Sequence, residues 1–172
     1  KLMHMEDNFQ HFNSINSIKH IKLRGFEISD NLFSNQNYIH SLELERCKLD
    51  MNILKNLKSK KLKCLNISKS ILTSNFQFIE NLKLSKLRHL NLSSNRLRKE
   101  GLKYLDKLNT SNLKTLNLSS NRLGVNGLRF IQNWNTKELN RLNLSFNRIP
   151  GSDFKSIKNW KNKIAHHEHC GD

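Results

Sequence analysis

The sequence predicts an α/β solenoid: a parallel sheet along one face, helices along the other, built from one unit repeated side by side. Two observations carry this. The phrase "LNLSSNRL" occurs at 90–97 and again at 116–123, with the near copy "LNLSFNRI" at 142–149. Within each unit the apolar spacing changes from the two-residue period of a strand to the spacing of a helix. A repeat of this size marks a chain whose units bury their faces only by stacking on neighbours.

Aligned on the first apolar residue, the units start at Ile18, Ile39, Leu62, Leu87, Leu113 and Leu139, separated by 21, 23, 25, 26 and 26 residues. Each opens with an alternating L-x-x-L-x-L stretch, which predicts a short strand. Helical spacing follows in Leu102, Leu105 and Leu108, in Leu128, Ile131 and Trp134, and in Phe154, Ile157 and Trp160. The earlier units offer Met51, Leu54 and Leu57, then Phe76, Ile79 and Leu82. Gly101 and Gly127 are expected just ahead of their helices, where the chain must bend. Both tryptophans fall at apolar positions and read as packing residues.

These units resemble the leucine-rich repeat family, L-x-x-L-x-L-x-x-N-x-L, in the helix-containing, ribonuclease-inhibitor-like form. The likeness runs from about Ile18 to Trp160 and is tightest in the last three units. It implies a horseshoe with the parallel sheet on the concave face and helices on the convex face. It also implies that the motif asparagines, Asn95, Asn121 and Asn147, turn inward and pair backbone groups of adjacent coils. A buried amide needs such partners. Cys47 falls in the same slot, while Phe26 and Ser70 depart from the pattern. The expected organisation is a capping segment over 1–17, carrying Phe9, Phe12 and Ile15, then repeats over 18–160. A C-terminal tail, 161–172, follows and reads as a weak cap.

The formal net charge is +16, and no stretch of 18 apolar residues provides a membrane span. The three cysteines lack CxxC spacing, so a disulfide framework is not expected and a reducing compartment is. Sequons begin at Asn66, Asn91, Asn109, Asn117 and Asn143, four of them on the predicted strand face. Glycans there would cover the sheet. The expected location is therefore intracellular, either cytoplasmic or as a bacterial effector delivered to a host cell.

The outward strand residues fall in four columns. The first is His20, Ser41, Cys64, His89, Thr115 and Arg141; the second Lys22, Glu43, Asn66, Asn91, Asn117 and Asn143. The third is Arg24, Glu45, Ser68, Ser93, Ser119 and Ser145; the fourth Gly25, Arg46, Lys69, Ser94, Ser120 and Phe146. Binding surfaces concentrate energy in arginine and aromatic residues. Arg24, Glu45, Arg46, His89, Arg141 and Phe146 are accordingly the candidate partner-binding residues. Arg96, Arg122 and Arg148 follow the motif asparagine in successive coils and form a candidate anion-binding stripe; recent duplication of one unit also explains them.

Signals for catalysis are weak. Cys64 and His89 sit on adjacent coils at thiolate–imidazole reach, but no third orienting group or oxyanion hole accompanies them. In the tail, His166, His169 and Cys170 are acceptable zinc ligands at a non-specific spacing, and a solvated tail is the plainer reading. No cofactor or metal is expected. The sequence reads as a non-enzymatic protein-interaction module whose partner is another protein, acidic in character. The alternatives are binding of nucleic acid or an anionic surface through the basic charge, and service as the recognition domain of a larger enzyme.

Overall fold

The computed structural model describes residues 18–28, 32–33, 37–49, 54, 57, 60–70, 76, 79, 85–105, 111–134 and 137–160. The proposed cap over 1–17, the tail at 161–172, and Met51, Leu82 and Leu108 lie outside these residues.

Six strands form one parallel sheet in chain order: β1 (His20–Arg24), β3 (Ser41–Glu45), β5 (Cys64–Asn66), β6 (His89–Asn91), β7 (Thr115–Asn117) and β8 (Arg141–Asn143). A second, two-stranded parallel sheet pairs β2 (Glu27–Ile28) with β4 (Lys48–Leu49). The main register runs His20, Ser41, Cys64, His89, Thr115, Arg141 across the strands, with Lys22, Glu43, Asn66, Asn91, Asn117 and Asn143 beside it. The alternation is physical: Leu42, Leu65, Leu90, Leu116 and Leu142 are buried between those residues.

The sheet is closed at both ends of each strand by repeated backbone bonds. Lys63, Arg88, Lys114 and Asn140 donate their N–H to the carbonyls of His40, Lys63, Arg88 and Lys114, one coil back. At the other end Arg46, Lys69, Ser94 and Ser120 donate to the carbonyls of Ser68, Ser93, Ser119 and Ser145, one coil ahead, at 2.9–3.0 Å. To aim these amides, Arg46, Lys69, Ser94, Ser120 and Phe146 all adopt left-handed backbone, φ 54–60°. Only glycine does so without penalty, and Gly25 occupies the slot in the first coil, φ 75°.

Among the described residues there is one α-helix, α1 (Arg98–Leu105). The apolar spacing at Leu128, Ile131 and Trp134 predicts a helix, but the structure has a short 3-10 segment there, Gly127–Phe130. The last unit likewise has a 3-10 segment, Gly151–Trp160, broken at Ile157. Local composition explains the difference. The first segment, RKEGLKYL, is mostly strong helix formers. The second is preceded by Asn126 in left-handed backbone, φ 62°, and runs into Phe, Ile, Asn and Trp. The third opens on Gly151, a poor helix former. The apolar residues are nevertheless buried: Leu102, Leu105, Leu128, Ile131, Trp134 and Ile157 join the strand leucines in one core. Leu54, Leu57, Phe76 and Ile79 join it from the earlier coils.

Gly101 and Gly127 do not precede helices as bends. Gly101 lies within α1, and Gly127 is the first residue of its segment. Packing accounts for Gly101: a Cβ there would stand 2.6 Å and 2.9 Å from the buried Leu97 side chain.

Candidate functional site

The strand face is held in place from beneath by a ladder of buried polar side chains. Asn95, Asn121 and Asn147 are 0–2 % exposed. The Asn121 side chain accepts the N–H of Asn95 (3.0 Å) and of Leu97 (3.2 Å) on Oδ1. Its Nδ2 donates to the carbonyls of Leu92 (2.9 Å) and Leu118 (3.0 Å). Asn147 repeats the scheme one coil on, accepting the N–H of Asn121 and donating to Leu118 and Leu144. Asn95 does so one coil back, accepting the N–H of Ser70 and donating to Ile67 and Leu92.

Ser70, which departs from the motif, continues the same ladder. Its hydroxyl donates to the Leu44 carbonyl (2.9 Å) and accepts the N–H of Cys47 (3.2 Å). The Cys47 thiol in turn reaches the Leu23 carbonyl at 3.6 Å. Each of these residues reaches the carbonyl of the last apolar strand-face residue one coil back (Leu23, Leu44, Ile67, Leu92 and Leu118), so a hydroxyl or thiol fills the slot where the amide is missing. Burial pushes the Cys47 thiol pKa up, which keeps it protonated as a donor.

Above the ladder, the second column has an internal logic. Asn91, Asn117 and Asn143 each accept, on Oδ1, the N–H of the serine two residues on, at 3.0 Å. This is an Asx turn. It gives the repeated Asn-Leu-Ser a structural reason and commits each carboxamide oxygen to the chain itself. The Nδ2 donors remain on the face. A shallow groove of about 440 Å³ runs over this region, lined by Cys64, Asn66, His89, Thr115, Arg141 and their neighbours.

Charge divides the face. On β3, Glu43 pairs with Lys22 at 2.9 Å. Glu45 lies 3.3 Å from Lys69, 3.6 Å from Arg24 and 3.9 Å from Arg46. The hydrogen bond from Lys69, reinforced by Arg24 and Arg46, holds the Glu45 carboxyl below the usual glutamate range against the opposing effect of its burial. Arg24, Glu45 and Arg46 are thus brought together, but largely with each other. Arg141, Arg96, Arg122 and Arg148 are exposed and make no ion pair among the described residues. The three rim arginines share left-handed backbone, φ 54–58°. Phe146 is 70 % exposed in the slot where the two preceding coils carry serine.

His89 is exposed, and its Nδ1 lies 2.9 Å from the Thr115 hydroxyl, on the coil away from Cys64. Burial and then Glu43 raise the Cys64 thiol pKa, only partly opposed by Lys63. The thiol is therefore biased toward its protonated form, and the imidazole Nδ1 is turned to Thr115 rather than to Cys64. The candidate zinc ligands His166, His169 and Cys170 lie outside the described residues.

Two leucine-rich repeat family models match, one over residues 83–105 and 110–131, the other over 138–160. Over these stretches the chain carries leucine-rich repeats. No curated protein matches it. The matched stretches span the coils in which Asn95, Asn121 and Asn147 fill the ladder. Leucine-rich repeats commonly mediate protein–protein interaction. No helix among the described residues is long and apolar enough to cross a membrane.

Sequence reasoning missed Ser70 as a rung and Asn91, Asn117 and Asn143 as turn formers. The second was available: an asparagine two residues before serine at every strand end is an Asx-turn pattern. The first was not, because Ser70 stands in the motif asparagine's slot without its amide, and the letter alone does not show that its hydroxyl reaches the neighbouring coils.

Proposed function

We propose that this leucine-rich repeat chain is a non-enzymatic recognition module for an acidic protein. In this reading it has the ribonuclease-inhibitor-like arrangement, with the strand face as the concave wall of a horseshoe and the helical segments outside. Residues 1–17 cap the first coil, and 161–172 form a tail after repeats at 18–160. The observation that carries the function is the union of a fixed ladder with exposed cations, Arg96, Arg122, Arg141 and Arg148, that make no ion pair among the described residues. Because Asn95, Asn121 and Asn147 set the coils before any partner arrives, docking sacrifices little conformational entropy. The excess positive charge steers an acidic partner and speeds encounter. The cysteines Cys47 and Cys64 are unbonded to each other, in keeping with the intracellular site we propose, cytoplasmic or as an effector within a host cell.

The test is capture from lysate by the full chain, with and without nuclease. It is followed by purification of the captured protein and measurement of its association rate against salt. A nuclease-resistant complex with a protein of low isoelectric point, associating more slowly as salt rises, is the expected result. Capture abolished by nuclease would instead make the basic charge a nucleic-acid footprint, with Arg96, Arg122 and Arg148 as its phosphate contacts.

A further inference from the structure

The two halves of the strand face are chemically unlike. Over β1 and β3, the acidic side chains Glu43 and Glu45 already occupy Lys22, Arg24, Arg46 and Lys69. Over β6, β7 and β8 the outward columns contain no carboxylate at all. They hold His89, Thr115 and Arg141, then three asparagines, then serines. Each asparagine oxygen there already accepts one backbone N–H in its Asx turn, so the carboxamide has its N–H₂ and only part of its acceptor capacity left for a partner. Beside them stand Arg122 and Arg148. This half presents donors and cations with no carboxylate in its outward columns.

Phe146 adds a second, independent signal at its edge. A bulky side chain in left-handed backbone costs about 1 kcal/mol relative to glycine. It is also 70 % exposed, where serine serves in the two coils before it. Neither folding nor solubility calls for an aromatic there. Exposed aromatics flanked by arginine are the composition of binding hot spots.

We propose that the β6–β8 half of the face docks a short, extended acidic peptide segment of a partner protein, carrying one apolar side chain that seats on Phe146. This rests on the protein-recognition reading above and assigns its place and chemistry. Three parallel strands span roughly 10 Å across the sheet, about the reach of three extended residues. The segment's carboxylates meet Arg122, Arg141 and Arg148, and its backbone carbonyls meet the asparagine N–H₂ groups. A single-stranded nucleic acid fits less well, because it stacks successive bases on successive aromatics, and among the described residues the outward columns of this half hold one aromatic, Phe146.

The experiment uses the full chain and two fluorescein-labelled nine-residue probes. One is glutamate-rich with a central phenylalanine; the other has serine in place of that phenylalanine. Binding is read by fluorescence anisotropy across a salt series, with thermal melts confirming that each variant is folded. Phe146→Ser should weaken the phenylalanine probe about tenfold, a 1.4 kcal/mol effect, and leave the serine probe within about twofold. The double variant R122Q/R148Q should weaken both probes and flatten their salt dependence. R24Q/R46Q should change either by no more than about twofold, since those cations are already paired. Equal losses from the two arginine pairs, indifference to Phe146→Ser, or no binding of either probe would overturn the proposal. If the protein captured from lysate binds F146S and R122Q/R148Q as well as it binds the original chain, recognition stands and this assignment of its place does not.

Discussion

Asn121 illustrates how much one buried side chain decides in a repeat. Its carboxamide satisfies the N–H of Asn95 and Leu97 and the carbonyls of Leu92 and Leu118, on adjoining coils, with no exposed surface. Replacement by alanine leaves several backbone groups buried and unpaired. Each costs about 1–3 kcal/mol, so Asn121→Ala should lose about 3–5 kcal/mol of stability in urea titration. A loss under about 1 kcal/mol would mean that water replaces the amide and that the ladder is not structural. Ser70→Ala removes one acceptor and one donor of the same ladder and should cost about 1–2 kcal/mol. The three asparagines were legible because they repeat in a fixed phrase. Ser70 was not, because hydrogen-bonding capacity is conveyed by geometry and its letter breaks the phrase. Glu45 belongs to the same scale. Its carboxyl titrates below the usual glutamate range in the folded chain, so the ionised form is favoured by folding. Its contribution is present above the unfolded glutamate pKa and disappears as pH falls through the folded value. Melting temperature should therefore decline on acidification from about pH 5 to about pH 3 more steeply in the original chain than in Glu45→Gln. Identical profiles would show that Lys69, Arg24 and Arg46 do not stabilise the carboxylate.

At the scale of elements, strands and helices differ in how firmly the sequence dictates them. Strand register was legible throughout, because the buried leucines alternate with outward residues and a slip of one residue would invert the whole unit. The segments between strands were legible as buried, but not in their backbone form. Leu128, Ile131 and Trp134 have helical spacing, yet Asn126 in left-handed backbone and a glycine start confine the chain to a 3-10 turn. Apolar spacing reports which residues face the core; local propensity and unit length decide how the chain winds between them. α1 shows a further constraint that spacing hides. Gly101→Ala would improve helix propensity by up to about 1 kcal/mol, which argues for stabilisation. The added methyl, however, falls within 3 Å of Leu97 atoms packed in the core, and overpacking costs about 1–3 kcal/mol. The collision should win, giving a net loss of about 1 kcal/mol in denaturant midpoint measurements. A stabilised variant would show that Leu97 moves aside without cost.

For the whole molecule, the pattern of carboxylates matters more than the net charge. A formal charge of +16 does not say which cations are already neutralised. Glu43 and Glu45 screen one half of the strand face and leave the other open, a division the residue count cannot show. The sequence exposed the columns, and with them the places of Arg24, Glu45, Arg46, Arg141 and Phe146. It did not show that Glu45 gathers Lys69 from the next coil along with Arg24 and Arg46, because that convergence depends on side-chain reach between coils. If screening by Glu45 is what keeps the first half closed, removing it should open a second docking region. Glu45→Gln preserves the size of the side chain while releasing Arg24, Arg46 and Lys69 from their shared carboxylate. The glutamate-rich probe without an aromatic should then bind about three- to tenfold more tightly, roughly one added exposed ion-pair contact. The gain should vanish in the triple variant R24Q/E45Q/R46Q and shrink with salt, since the released cations are exposed. The phenylalanine probe, held by Phe146 at the opposite end, should gain less. An unchanged affinity in Glu45→Gln would place the limit on the first half in the shape of its surface rather than in its internal ion pairs.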